Sequence, residues 1–163
     1  MGPRRRYKAG LLGAAIEKAH YGYQAEADAP VTNFWYAYWE LAVAEEPELQ
    51  MTMPLSKAAG AGFVVFHPAE LPVQVALIHK LPRGRVDLQF AGWATRVAEL
   101  HARVASYLDP NMEVTRASKA AAIRVRVPTL DTGRGFIEQI EAVRAGQQAA
   151  RRLLRWYRNH WQL

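Results

Sequence analysis

VQVALIHKLPRGRVDLQF, residues 73–90, is the stretch whose reading decides the fold. Its first half alternates, so Val73, Val75, Leu77, His79 and Leu81 share one face of a strand. Leu81-Pro82-Arg83-Gly84 then carries Pro early and Gly last, as a type I turn prefers. If Lys80 pairs across the turn with Arg85, His79 and Leu77 stand on the same side as Val86 and Leu88. That register leaves Lys80, Arg85, Asp87 and Gln89 on the opposite side, expected to face solvent. It also puts His79 and Asp87 on opposite faces, so they cannot act as a base and its partner.

Outward from this hairpin, residues 63–67 read as a preceding strand. Residues 93–108 form an amphipathic helix whose inner stripe is Trp93, Val97, Leu100, Val104 and Leu108. Asp109-Pro110-Asn111 ends it, and strands are expected over 112–115 and 121–127, the second closed by Pro128. In that second strand Ile123, Val125 and Val127 point one way while Arg124 and Arg126 point the other. A last helix is expected from about residue 135 to residue 160. Upstream, residues 4–21 read as a helix weakened by Gly10 and Gly13, and a second helix runs from the N-cap Thr32 to Pro47. The order is α-α-β-β-β-α-β-β-α, an α+β fold with an antiparallel sheet of about five strands and helices packed mainly on one face. A chain of 163 residues without a long linker suits a single domain over 1–163, with a helical N-terminal part (1–60) and a sheet with two long helices (61–163).

Composition narrows the chemistry. No cysteine is present, which excludes a disulfide framework, a thiol nucleophile and cysteine-ligated zinc, and fits a reducing cytoplasm. No apolar run has the length of a membrane span, and Gly2 is followed by Arg6 where a myristoylation signal needs Ser or Thr. The expectation is a cytoplasmic protein without a membrane partner. His20, His67, His79, His101 and His160 lack metal-ligand spacing, and Ser56, Ser106 and Ser118 lie in no nucleophile-elbow context. Neither a catalytic set, a metal site nor a cofactor is expected.

Charge is segregated. Residues 82–163 carry 14 basic and 7 acidic side chains, whereas residues 9–81 carry 3 basic and 8 acidic ones. The basic half is nearly all arginine, whose planar fork suits phosphate. A GC-rich genome would also favour arginine, but it would not segregate charge. On the last helix, at about 100° per residue, Arg144, Arg151, Arg155 and Arg158 fall on one side. Val143, Ala150, Leu154, Tyr157 and Trp161 fall on the other and should face the core. Arg124 and Arg126, with Lys119 and Arg116 nearby, would widen the basic patch. The plain alternative is a solvated face whose cations complement the helix C-terminus. A separate feature is Phe34, Trp35, Tyr36, Tyr38 and Trp39, more aromatic surface than one buried stripe needs. Core packing accounts for part of it, and the surplus suits a subunit interface or a base-stacking platform. Two functions follow: a non-enzymatic module binding DNA or RNA through its arginines, or a protein-interaction or homo-oligomerisation module using the aromatic helix 33–45.

Val86-Asp87-Leu88-Gln89-Phe90 followed by a helix, the KAAAIRVRVP stretch from Lys119 to Pro128, and a long helix ending near Trp156 give the chain a pattern. It resembles a bacterial module of unknown function found with nucleases of the PD-(D/E)XK, restriction-endonuclease-like superfamily. The resemblance implies a role near nucleic acid, in phage defence or DNA processing. It does not bring the nuclease site. Asp87 would be the first acid, but the next strand offers Glu113-Val114-Thr115-Arg116, with a permanently protonated arginine where a lysine belongs.

Overall fold

A computed structural model describes residues 63–66, 68–129 and 136–161, with the side chains of the last segment described from residue 141. The two helices expected before residue 60 lie outside the described residues. Within them the chain runs β1 (Phe63–Phe66), β2 (Val75–Lys80), β3 (Arg85–Ala91), α1 (Val97–Val104), β4 (Met112–Ala117), β5 (Ala120–Arg126) and α2 (Phe136–His160). The strands form one five-stranded sheet in the order β1-β2-β3-β5-β4, every pair antiparallel. An antiparallel sheet with two helices is an α+β arrangement.

The hairpin between β2 and β3 has the expected register, Lys80 against Arg85, His79 against Val86 and Leu77 against Leu88. The turn closes with the Gly84 amide donating to the Leu81 carbonyl at 3.1 Å. Gly84 has φ +60°, and a Cβ there would lie 2.4 Å from the Val127 carbonyl oxygen, so glycine is needed for conformation and for space. Val73 departs from the expected alternation. It is 99% exposed, in the turn before β2, because that strand begins only at Val75.

Antiparallel pairing carries each face across the sheet in rows. Val64, His79, Val86, Val125 and Met112 make one row, and Phe66, Leu77, Leu88, Ile123 and Val114 the next. These residues join Leu100 and Val104 of α1 and Val143, Ala150, Leu153, Leu154, Trp156 and Tyr157 of α2, with His79 buried among them. The buried arc of α2 is wider than a single stripe, because Trp156 also reaches the segment after α1, its indole Nε1 donating to the Tyr107 carbonyl at 2.9 Å. The helix expected over 93–108 is shorter than its apolar pattern. Gly92 at φ +81° turns the chain, and Trp93 leaves the helix to pack against Phe90 and Trp161, at centroid distances of 6.4 and 5.9 Å. After Val104 the chain tightens into a 3₁₀ turn (Ala105–Tyr107).

The closest approach of α2 to the sheet is at Gly146, where a Cβ would lie 2.0 Å from Cε1 of His79. His79 is fully buried there, and neither ring nitrogen has a hydrogen-bond partner. Burial lowers its pKa from 6.5 to about 3, so the ring is neutral in the folded protein.

Two outcomes follow from this contact. Gly146→Ala should destabilise the protein by about 1–3 kcal/mol, although alanine is the better helix former by roughly 1 kcal/mol. In a His79→Ala background the same change should become favourable, as chemical denaturation of the two single variants and the double variant would measure. Because the unfolded chain binds a proton on His79 that the folded one refuses, its contribution is complete above pH 6.5 and declines as pH falls towards about 3. Between pH 6.5 and 5 the loss should be about 2 kcal/mol. His79→Leu should remove that part of the pH dependence, and an unchanged slope would refute the assignment.

Candidate functional site

The exposed side of α2 is where its phase expects it. Arg144, Arg151, Arg155 and Arg158 are all exposed, while Val143, Ala150, Leu154 and Tyr157 are buried opposite them, with Trp161 packed at the margin of the core. Arg158 is engaged locally, its Nε donating to Glu70 Oε1 at 2.6 Å. Arg152, off the stripe, lies 3.6 Å from Asp109 and donates to the Pro110 carbonyl at 2.6 Å.

The two strand arginines part company. Arg126 is exposed and reaches Glu113 at 3.1 Å. Arg124 is not on an exposed face, and this corrects the sequence expectation: it is 5% exposed, and Asp87 opposite it is fully buried. Arg124 Nε donates to Asp87 Oδ1 at 2.7 Å and its Nη2 to Oδ2 at 3.0 Å, a bidentate pair. That bonding, in a site that otherwise penalises charge, raises the pKa of the guanidinium. Alternation alone cannot distinguish such a pair from two solvated charges, because opposite signs at facing positions of neighbouring strands suit both. Register is the signal that would have found it. Asp87 is also the carboxylate that a two-carboxylate nuclease centre would take, and Arg124 holds both its oxygens.

Around this pair the second sheet face carries small side chains, with Ala117, Ala120 and Ala122 buried together. Phe63 from one edge strand and Arg116 and Ser118 from the end of the other line a single pocket of about 460 Å³. Lys80, Arg83 and Arg85 complete the described lining with Pro82 and Ala117, so four cations and no carboxylate are found among the described residues that line it. Burial, and then the neighbouring Arg85 guanidinium, lower the pKa of Lys80. Burial, and then Arg124, lower that of Arg85. Arg85 Nε is buried with no hydrogen-bond partner, 3.9 Å from an Asp87 oxygen already bonded to Arg124. Sequence reading placed Lys80 and Arg85 on this face but had no means of bringing Arg116 to them.

A second cleft, of about 370 Å³, lies at the C-terminal end of α2 between Phe90, Trp93, Tyr157 and Trp161. Arg103 stacks 3.8 Å from the Trp161 ring centre, and Arg96 at the same distance from Trp93. The aromatic residues proposed for an interface, Phe34, Trp35, Tyr36, Tyr38 and Trp39, lie outside the described residues. Among the described residues no three His, Asp or Glu side chains assemble in a metal-binding group, and no helix is long and apolar enough to cross a membrane.

No family model, curated protein or solved structure matches the chain. What it binds has to be read from its own surfaces.

Removing one member of the buried pair should be costly. Arg124→Met leaves the Asp87 carboxylate buried without its partner and should cost about 3–5 kcal/mol. Arg124→Met with Asp87→Leu should recover most of that loss in a denaturation experiment. A single variant as stable as the parent would mean that the carboxylate is solvated after all.

Proposed function

We propose that the chain is a non-enzymatic nucleic-acid-binding module, an accessory of a bacterial system in phage defence or DNA processing, which holds phosphate through the arginine face of α2. The observation that carries this reading is the exposure of Arg144, Arg151, Arg155 and Arg158 along one side of the helix whose other side is core. At 1.5 Å rise per residue the stripe extends about 21 Å, the axial length of roughly six phosphates of one strand. Arg126, exposed at the end of β5, is paired with Glu113 on the sheet face that α2 does not cover, and Arg124 is committed to Asp87, so the reading rests on α2. Arg158 must share itself with Glu70, which should reduce its contribution.

Binding of this kind is electrostatic and independent of sequence. Affinity for DNA or RNA should fall with salt at a log–log slope of about −3 to −5, for four to six phosphate contacts. Replacing Arg144, Arg151, Arg155 and Arg158 together by Gln should leave the melting temperature nearly unchanged, since exposed charges typically contribute below about 1 kcal/mol each. The same variant should lose affinity for all sequences alike and show a shallower salt slope. If it folds and binds as the parent does, the stripe is a solvated face and the reading fails. If the parent itself binds no nucleic acid at about 50 mM salt, the reading fails at once.

A further inference from the structure

We propose that the pocket between the β2–β3 turn and the end of β4 is a binding site for a terminal phosphate monoester, the 5′-phosphate of a strand end or of a free nucleotide. Lys80 and Arg85 stand on the sheet face that α2 does not cover, and the site stands or falls apart from the arginine stripe. Lys80, Arg83, Arg85 and Arg116 line one pocket of about 460 Å³, and among its described lining residues there is no carboxylate. Among the described residues the only carboxylate paired with any of them is Asp87, at 3.9 Å from Arg85, and its oxygens are bonded to Arg124. Like charges brought together without an internal counterion raise the energy of the empty pocket, and an anion relieves it. Arg85 Nε, buried and without a partner, is a donor already stripped of water and awaiting an acceptor.

The form of the anion follows from the geometry. A backbone phosphodiester carries one charge and continues on both sides, which suits an open stripe. A monoester carries a charge of about −1.5 to −2 and three strong acceptor oxygens at a chain end, which suits four cations lining a partly open pocket. The guanidiniums of Arg83, Arg85 and Arg116 can each offer a fork, Lys80 a point charge, and the Ser118 hydroxyl a further donor. Phe63 and Pro82 give the same space an apolar wall, where the organic part of the ester can rest. The volume falls in the usual range for a small-ligand pocket.

Two pairs of probes test this by titration calorimetry or fluorescence anisotropy: one oligonucleotide with a 5′-phosphate or a 5′-hydroxyl, and adenosine 5′-monophosphate against adenosine. The phosphorylated member should bind at least about tenfold more tightly in one pair or both. A difference in the oligonucleotide pair alone assigns the site to strand ends, and a difference in the nucleotide pair as well extends it to free nucleotides. Arg83 and Arg116 are exposed, so Arg83→Gln with Arg116→Gln should keep the parental melting temperature and abolish the difference. The variant lacking the four α2 arginines should retain it while losing overall affinity, which separates this site from the stripe. Equal binding of both members in both pairs would overturn the proposal, and so would a difference that survives in the folded Arg83 and Arg116 double variant.

Discussion

The register of the β2–β3 hairpin is the constraint from which the rest of this structure follows. A shift of one residue would exchange the two sheet faces, moving Leu77, His79, Val86 and Leu88 away from α2 and bringing Lys80, Arg85 and Asp87 against it. Gly84 helps to hold it, since its positive φ makes the turn and its missing Cβ leaves room for the Val127 carbonyl. The Val127 amide donates back to the Gly84 carbonyl at 2.8 Å, tying the turn to the end of β5. The hairpin is thus locked from outside itself as well as by its own pattern.

The two faces of the sheet serve different ends. One is apolar and continuous with both helices, and its polar exception, His79, is tolerated because the Gly146 backbone can lie directly on the imidazole. The cost is a histidine with two unpaired nitrogens, a group that hydrophobic packing retains against its preference for water. The other face buries charge with charge. Asp87 and Arg124 satisfy each other in two hydrogen bonds, and Gln89 adds a third to the same carboxylate at 3.2 Å. Asp87 is so occupied, and among the described residues no other carboxylate is paired with Lys80, Arg83, Arg85 or Arg116.

The same reasoning separates the two basic surfaces. Along α2 the arginines are exposed on one side of a helix, where attraction to a polyanion is diffuse and screened by salt. In the pocket Lys80 and Arg85 are partly buried beside the exposed Arg83 and Arg116, where a single compact anion could meet several donors together.

Periodicity by itself determined a good deal. Alternation in residues 73–81 and 121–127 and the Pro-to-Gly turn at 81–84 are local signals, which marked strands there and gave the register of the β2–β3 hairpin. The 3.6-residue period of α2 separated Arg144, Arg151, Arg155 and Arg158 from Leu154 and Tyr157, because a helix face depends only on spacing. What spacing cannot carry is the environment that distant strands create. That Trp93 packs on Trp161, and that His79 lies under Gly146, are contacts between residues far apart in the chain. Arg124 reads like Arg126 in sequence, two residues apart on one strand, yet one is buried on Asp87 and the other is exposed beside Glu113. Only the tertiary structure decided that Arg116 would line the same pocket as Lys80, Arg83 and Arg85, since spacing and pairing in rows fix near neighbours and not which distant residues share a space.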